Sequence, residues 1–218
     1  PPAPIKGQVW YDSTNRDFHY RSEVTTGTWS TGGNLNSARL YIQGAGTQTA
    51  ALGFAGAVAG QSPPKTNITE SYNGTSWTEV GDMNTARRKM GGAGLSTSAL
   101  VFGGQGSSTN MGETESYNGS TWTEVADLNT ARKQISGTGA SNTNAIGSGG
   151  VNPGPVTGIT ETWDGSSWTE VSDLNTARQN GAMAGTSTAA IMAGGATPSL
   201  IDNNELWDGS SWTEVGDM

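Results

Sequence analysis

The chain has 218 residues, 33 of them glycine, with no cysteine, one histidine and a net charge of −8. No disulfide scaffold, thiolate metal site or cysteine nucleophile is available, and the lone His19 excludes a histidine-cluster metal site within one chain. An acidic balance repels nucleic acid phosphate, and the sequence has no apolar run long enough to span a membrane, so neither nucleic acid binding nor membrane insertion is expected.

Pro1 to Lys6 lack an apolar stretch, so no signal peptide is expected. Val9 to Asp12 and Asp17 to Arg21 read as two strands around a Ser13-Thr14-Asn15 turn. His19, between Phe18 and Tyr20, reads as a strand residue, and the turn is too short for an EF-hand calcium loop. Abundant Gly, Ser, Thr and Asn would suit a disordered segment, but eight tryptophans argue against that. The composition suits many short strands joined by glycine-rich turns.

An internal repeat dominates the rest. Ser76-Trp77-Thr78-Glu79-Val80 recurs at Thr121 to Val125, Ser167 to Val171 and Ser211 to Val215, with a worn copy at Thr28-Trp29-Ser30-Thr31. Trp29, Trp77, Trp122, Trp168 and Trp212 are spaced by 48, 45, 46 and 44 residues. Ten residues after each of the first four comes an arginine (Arg39, Arg87, Arg132, Arg178) that closes an Asn-Ser/Thr-Ala-Arg phrase. A second aromatic precedes each of the last four tryptophans by five residues: Tyr72, Tyr117, Trp163 and Trp207. A small pair closes the middle of each unit: Ala55-Gly56, Gly103-Gly104, Gly149-Gly150 and Gly194-Gly195.

Each unit therefore reads as four short antiparallel strands. In the second unit they run from Arg87 to Gly91, from Ser98 to the glycine pair, from Glu113 to Tyr117 and from Trp122 to Val125. Asn-Gly or Asp-Gly joins the third to the fourth, which is tight-turn chemistry. Four such strands at this period make one blade of an all-β propeller. The aromatics are expected to fill the space between blades, and the small pairs to allow close backbone approach.

The predicted organisation is an N-terminal hairpin and partial blade over 1–36, then units over about 37–83, 84–128, 129–174 and 175–218. Four blades plus the partial one would give a five-bladed ring, with the N-terminal strands sealing against the last unit. Alternatively the ring is longer and this chain is one piece of it. The stop at Asp217-Met218, where other units continue into Asn-Thr-Ala-Arg, favours the second arrangement.

The order of glycine pair, aromatic, tryptophan and arginine resembles the kelch repeat over residues 37–218. That resemblance implies a kelch-like propeller. Near-identical Trp-Thr-Glu-Val-x-Asp-Leu/Met-Asn-Thr-Ala-Arg phrases resemble kelch-like arrays in virion proteins of marine bacteriophages, notably cyanophages. Gly7-Gln8-Val9-Trp10-Tyr11-Asp12-Ser13-Thr14 is similar to a short hairpin module of phage fibre proteins. These resemblances imply a non-enzymatic tail-fibre or appendage module on the virion. Its partners would be host-surface glycan or protein and other virion proteins, and a homo-oligomer is compatible with this. The competing function is a general kelch scaffold for protein partners in a cytoplasm.

Alternation of connections puts the 2–3 loops and the 4–1 connections on one face. The 2–3 loops vary in length and chemistry, as do the residues just after each arginine. Variable loops on a rigid scaffold are the usual place of recognition. The candidate ligand-binding residues are Tyr41, Lys65, Arg88, Lys89, Asn110, Lys133, Gln134, Asn152, Gln179 and Asp202. Arg88, Lys89 and Lys133 form a basic cluster suited to an anionic glycan, the competing readings being charge balance with Asp82 and Asp127, and loop drift.

Catalytic, metal and cofactor chemistry is not expected. Glu79, Glu124, Glu170 and Glu214 recur once per unit, as do Asp82, Asp127, Asp173 and Asp217, whereas a catalytic centre is singular. A bond from each Asp to the nearby Asn-Thr-Ala-Arg phrase is the expected role. Trp163-Asp164-Gly165-Ser166-Ser167-Trp168 is one residue short of the sialidase Asp-box. The copper oxidase of kelch fold needs two histidines and a Cys–Tyr crosslink, which this composition cannot supply. The sequons at Asn67 and Asn73 matter only in a secretory pathway.

Overall fold

Alternating small and apolar residues between Gly-rich turns fold each repeat into one four-stranded antiparallel sheet. In the computed structural model, residues 9–12, 17–20, 31–60, 62 and 64–218 are described. Two compact units divide at Gly32 and Gly33. The first contains an antiparallel pair, Val9–Asp12 with Asp17–Tyr20, as the sequence predicts. The expected Trp29 strand lies outside the described residues.

The second unit is a succession of four blades. Blade one comprises Gln43–Thr47, Ala50–Phe54, Thr69–Tyr72 and Trp77–Glu79. Blade two comprises Gly91–Leu95, Ser98–Phe102, Thr114–Tyr117 and Trp122–Val125. Blade three comprises Ser136–Ser141, Asn144–Ser148, Thr160–Trp163 and Trp168–Val171. Blade four comprises Ala182–Thr186, Ala189–Ala193, Asn204–Trp207 and Trp212–Val215. In every blade the strands pair in sequence order. The first strands of successive blades pack against one another and line a narrow axial channel of about 280 Å3, walled by Gly44, Gly92, Gly137 and Met183. Among the described residues no such packing joins blade four to blade one.

The first strand starts later than the sequence suggests. Arg87 makes only an isolated bridge to Thr66, and the innermost strand begins at Gly91. The reason is local. The Arg87 side chain is drawn into its blade, and Lys89 has φ of 58°, which breaks an extended run.

The blades join through tryptophan. Trp122, Trp168 and Trp212 are each 5% exposed. Each indole N–H donates to a threonine hydroxyl on the preceding blade: Thr69 at 3.0 Å, Thr114 at 3.0 Å and Thr160 at 3.1 Å. Trp122 and Trp168 also meet Phe54 and Phe102 edge to face, at 5.0 and 4.7 Å between centroids. Such pairs add to the area they bury. The interblade packing role expected of the tryptophans is what these contacts describe.

The glycine pairs have their expected use. Gly103 and Gly104 take φ of 64° and 106°, and a Cβ there would stand 2.8 Å from the Arg132 carbonyl oxygen and 2.9 Å from that of Arg88. This closeness lets the Gly104 N–H donate to the Arg132 oxygen at 2.7 Å, tying one blade to the next. The 3–4 turns close as predicted: Asn118 Oδ1 accepts from the N–H groups of Ser120 and Thr121, both at 3.0 Å.

Candidate binding site at the channel mouth

The repeat arginine anchors the site from beneath. Arg39, Arg87, Arg132 and Arg178 each place Nη2 2.6–2.8 Å from a glutamate Oε1, with both side chains fully out of solvent. The partners are Glu70, Glu115, Glu161 and Glu205. Each Nη1 donates to two carbonyls of the same blade, Gly103 and Glu113 in the case of Arg87. The second glutamate oxygen accepts from the backbone and side-chain nitrogens of the asparagine that opens the Asn-Ser/Thr-Ala-Arg phrase, at 2.7 and 3.0 Å for Asn84. Burial pushes the guanidinium pKa of Arg87 and Arg132 down, and the paired glutamates oppose that. Nε of Arg87, Arg132 and Arg178 also donates, to a carbonyl two residues back, whereas Nε of Arg39 is buried without a partner; a buried pair with its hydrogen-bonding groups met can hold a chain in one geometry.

These glutamates were absent from the sequence prediction. The signal was present: a glutamate stands two residues before Tyr72, Tyr117, Trp163 and Trp207 in every unit. The expected role of the repeat aspartates is corrected. Asp82 and Asp173 serve structure, but accept from the N–H of Thr69 at 3.0 Å and of Thr160 at 3.2 Å, not from the Asn-Thr-Ala-Arg phrase. The Asn84 and Thr85 N–H groups of that phrase already donate to the buried Glu115. Glu79, Glu124, Glu170 and Glu214 are exposed.

The residue after each arginine pairs with the start of a 2–3 loop: Leu40 with Ala57, Arg88 with Gln105, Lys133 with Val151 and Gln179 with Ala196. The 4–1 connections and 2–3 loops therefore lie together, as the alternation of connections predicts. One residue further on, the chain turns into the channel. Tyr41, Lys89, Gln134 and Asn180 all have φ of 56–58°. None is glycine, although for a side chain other than Asn or Asp this region costs about 1–2 kcal/mol. The Gln134 N–H donates to the Lys89 carbonyl at 2.7 Å, and the Asn180 N–H to that of Gln134 at 3.1 Å, linking these turns from blade to blade.

The four residues line one cavity of about 310 Å3 at the mouth of the channel, together with Ile42, Met90, Ile135 and Gly181. Tyr41 is 52% exposed. Lys89 Nζ lies 5.0 Å from the centre of its ring. Burial, then Arg88 and Lys133, push the Lys89 pKa down. The lining includes no carboxylate. An aromatic face, an ammonium short of counter-charge and two carboxamides suit a polyhydroxylated anion. Stacking takes the ring, paired donors and acceptors take hydroxyls, and an anion relieves the crowded positive charge.

Of the ten candidates, Tyr41, Lys89 and Gln134 line this cavity, with Asn180 added to them. Arg88, Lys133 and Gln179 stand one residue behind it, and the charges of Arg88 and Lys133 reach Lys89. Asn110 is a brace, its Nδ2 donating to the Val151 carbonyl at 2.6 Å across two 2–3 loops. Lys65, Asn152 and Asp202 are not part of the lining. Among the described residues no group of three or more His, Cys, Asp or Glu side chains could hold a metal ion. No family model matches the chain, and no curated protein matches it.

Proposed function

We propose that the four-blade unit is a non-catalytic recognition module that binds an anionic glycan at the channel mouth. The observation that carries this is the convergence of Tyr41, Lys89, Gln134 and Asn180, one from each blade, on a single cavity. The scaffold beneath repeats almost without change, and the four mouth residues are all different. The resemblance to kelch-like arrays of marine phage virions supports host attachment as the setting. The module would then sit on a tail fibre or appendage and engage sulfated or carboxylated surface glycan.

The test is a glycan array spanning neutral, sulfated and uronic acid-containing glycans. Retention of anionic glycans, lost in Lys89→Ala and Tyr41→Ala, is the expected result. An array with no retained glycan would overturn the reading. Density for the chain on purified particles would separate a virion component from a cellular one.

A second reading, a kelch scaffold for a protein partner, draws on one observation. Leu200, in a short hairpin within the last 2–3 loop, is 89% exposed. On a loop of the same face, an apolar side chain this exposed has more to gain from an apolar protein surface than from a sugar's hydroxyls. A pull-down in which Leu200→Ser loses a partner and glycan binding is absent would favour it.

A further inference from the structure

Among the described residues the interface between consecutive blades occurs three times, and the two end blades present its unpaired halves. On the receiving side, Ala93, Leu100, Ser116 and Thr123 form one row across blade two by strand register. The matching row of blade four is Ala184, Ile191, Leu206 and Thr213. Leu52, Leu100 and Ile146 are buried at the second position of that row, whereas Ile191 is 37% exposed. Leu206 stands where the other blades have Ser71, Ser116 and Thr162, and it is 44% exposed. Among the described residues the outward face of the last blade is thus apolar and open.

A second observation points to its occupant. Thr69, Thr114 and Thr160 each accept an indole N–H from the next blade. Asn204 takes their place in blade four, paired with Val215 as Thr114 is with Val125. Its Nδ2 donates to the Gly216 carbonyl at 2.8 Å, and its Oδ1 is buried with no partner. Three equivalents each hold a tryptophan, and among the described residues this fourth acceptor holds none.

The complementary half is on blade one. Trp77 is only half-buried, and with Ile42, Ala51 and Gly53 it walls an open apolar depression. Its indole N–H rests on the Gly33 carbonyl at 3.1 Å rather than on a neighbouring blade.

We propose that blade four docks the Trp77 face of a second copy of the chain, Trp77 donating to Asn204 Oδ1. Association is head to tail and heterologous, so it either closes into a ring or extends as a filament. Analytical ultracentrifugation of the full chain tests this. Concentration-dependent association is expected, and Ile191→Asp should weaken it by on the order of tenfold or more, as loss of a buried interface centre does. Asn204→Val should weaken it, and Asn204→Thr, which restores the acceptor of the other blades, should not. The deciding experiment mixes Ile191→Asp chains with Trp77→Ala chains. Each is defective at one end only, so the mixture should form dimers that neither forms alone. Circular dichroism checks that both variants fold. A chain that stays monomeric at all concentrations overturns the proposal. So does association that survives both variants, or a mixture that fails to complement. A monomer destabilised by Ile191→Asp would show the face to be filled from within the chain, and would overturn it as well.

Discussion

Glu115 Oε1 lies 2.6 Å from Arg87 Nη2, with neither side chain touching solvent, and the same pairing recurs in the other three blades. Each pair links the chain entering a blade to that blade's third strand. Removing one partner would leave the other charge buried and alone. Glu115→Ala is therefore expected to cost about 3–5 kcal/mol of stability, against less than about 0.5 kcal/mol for Glu124→Ala on the exposed outer strand. Urea unfolding of the two variants measures the contrast. Equal losses would mean the pair is not what holds the blade entry.

Blade three carries a fault. Phe54 and Phe102 each meet the tryptophan of the next blade, but the corresponding residue of blade three is Ser148, whose buried hydroxyl has no partner. A buried hydroxyl without a hydrogen bond destabilises by roughly 1–3 kcal/mol. Ser148→Ala should raise the midpoint of thermal unfolding, and Thr114→Ala, which strips an acceptor from Trp168, should lower it.

The 3–4 turns differ in their response to acid. In the last two blades Asp164 and Asp208 accept from the backbone N–H of Ser167 and Ser211, with further bonds from Ser166 and Ser210, and their pKa is pulled down to about 2. An unfolded aspartate titrates near 3.9, so the bound form is favoured once the pH exceeds about 4. That contribution is lost as the pH falls through about 2. Asn73 and Asn118 make the same turns without a titrating proton. Carbon-detected NMR titration should place both aspartates below the usual carboxylate range. Asp164→Asn with Asp208→Asn should flatten the acid limb of the stability curve. Retention of that limb would assign it to other carboxylates.

Strain and recognition coincide at the mouth. Gln134 is held at φ of 56°, a conformation glycine adopts freely. Gln134→Gly is expected to keep stability or raise it by up to about 1 kcal/mol while glycan retention falls. Loss of stability in that variant would show that the Gln134 side chain supports the fold.

The blade pattern was legible because its signals are local. A tryptophan, a glycine pair and an Asn-Gly turn each specify one strand end, and the repeat multiplies them. The 2–3 loop face was legible for the same reason, through the alternation of connections. The buried pairs were not. Glu115 lies on a short Thr-Glu-Ser-Tyr strand flanked by exposed turns, where a carboxylate ordinarily faces water. Its contacts with Arg87, 28 residues away, and with Asn84 and Thr85 take it out of water. The left-handed turns were hidden too, because Tyr41, Lys89 and Gln134 are side chains that rarely adopt them. Strand-to-strand spacing says nothing of such a turn, so the innermost strand was expected to start at the arginine.

Every contact of the Asn-Thr-Ala-Arg phrase with its glutamate closes within the blade that the phrase introduces, from Asn84 bonding Glu115 to Asn175 bonding Glu205. The tryptophan, by contrast, grips the blade before. The brace of a blade is therefore self-contained, and only the tryptophan contact depends on which blade stands next to it.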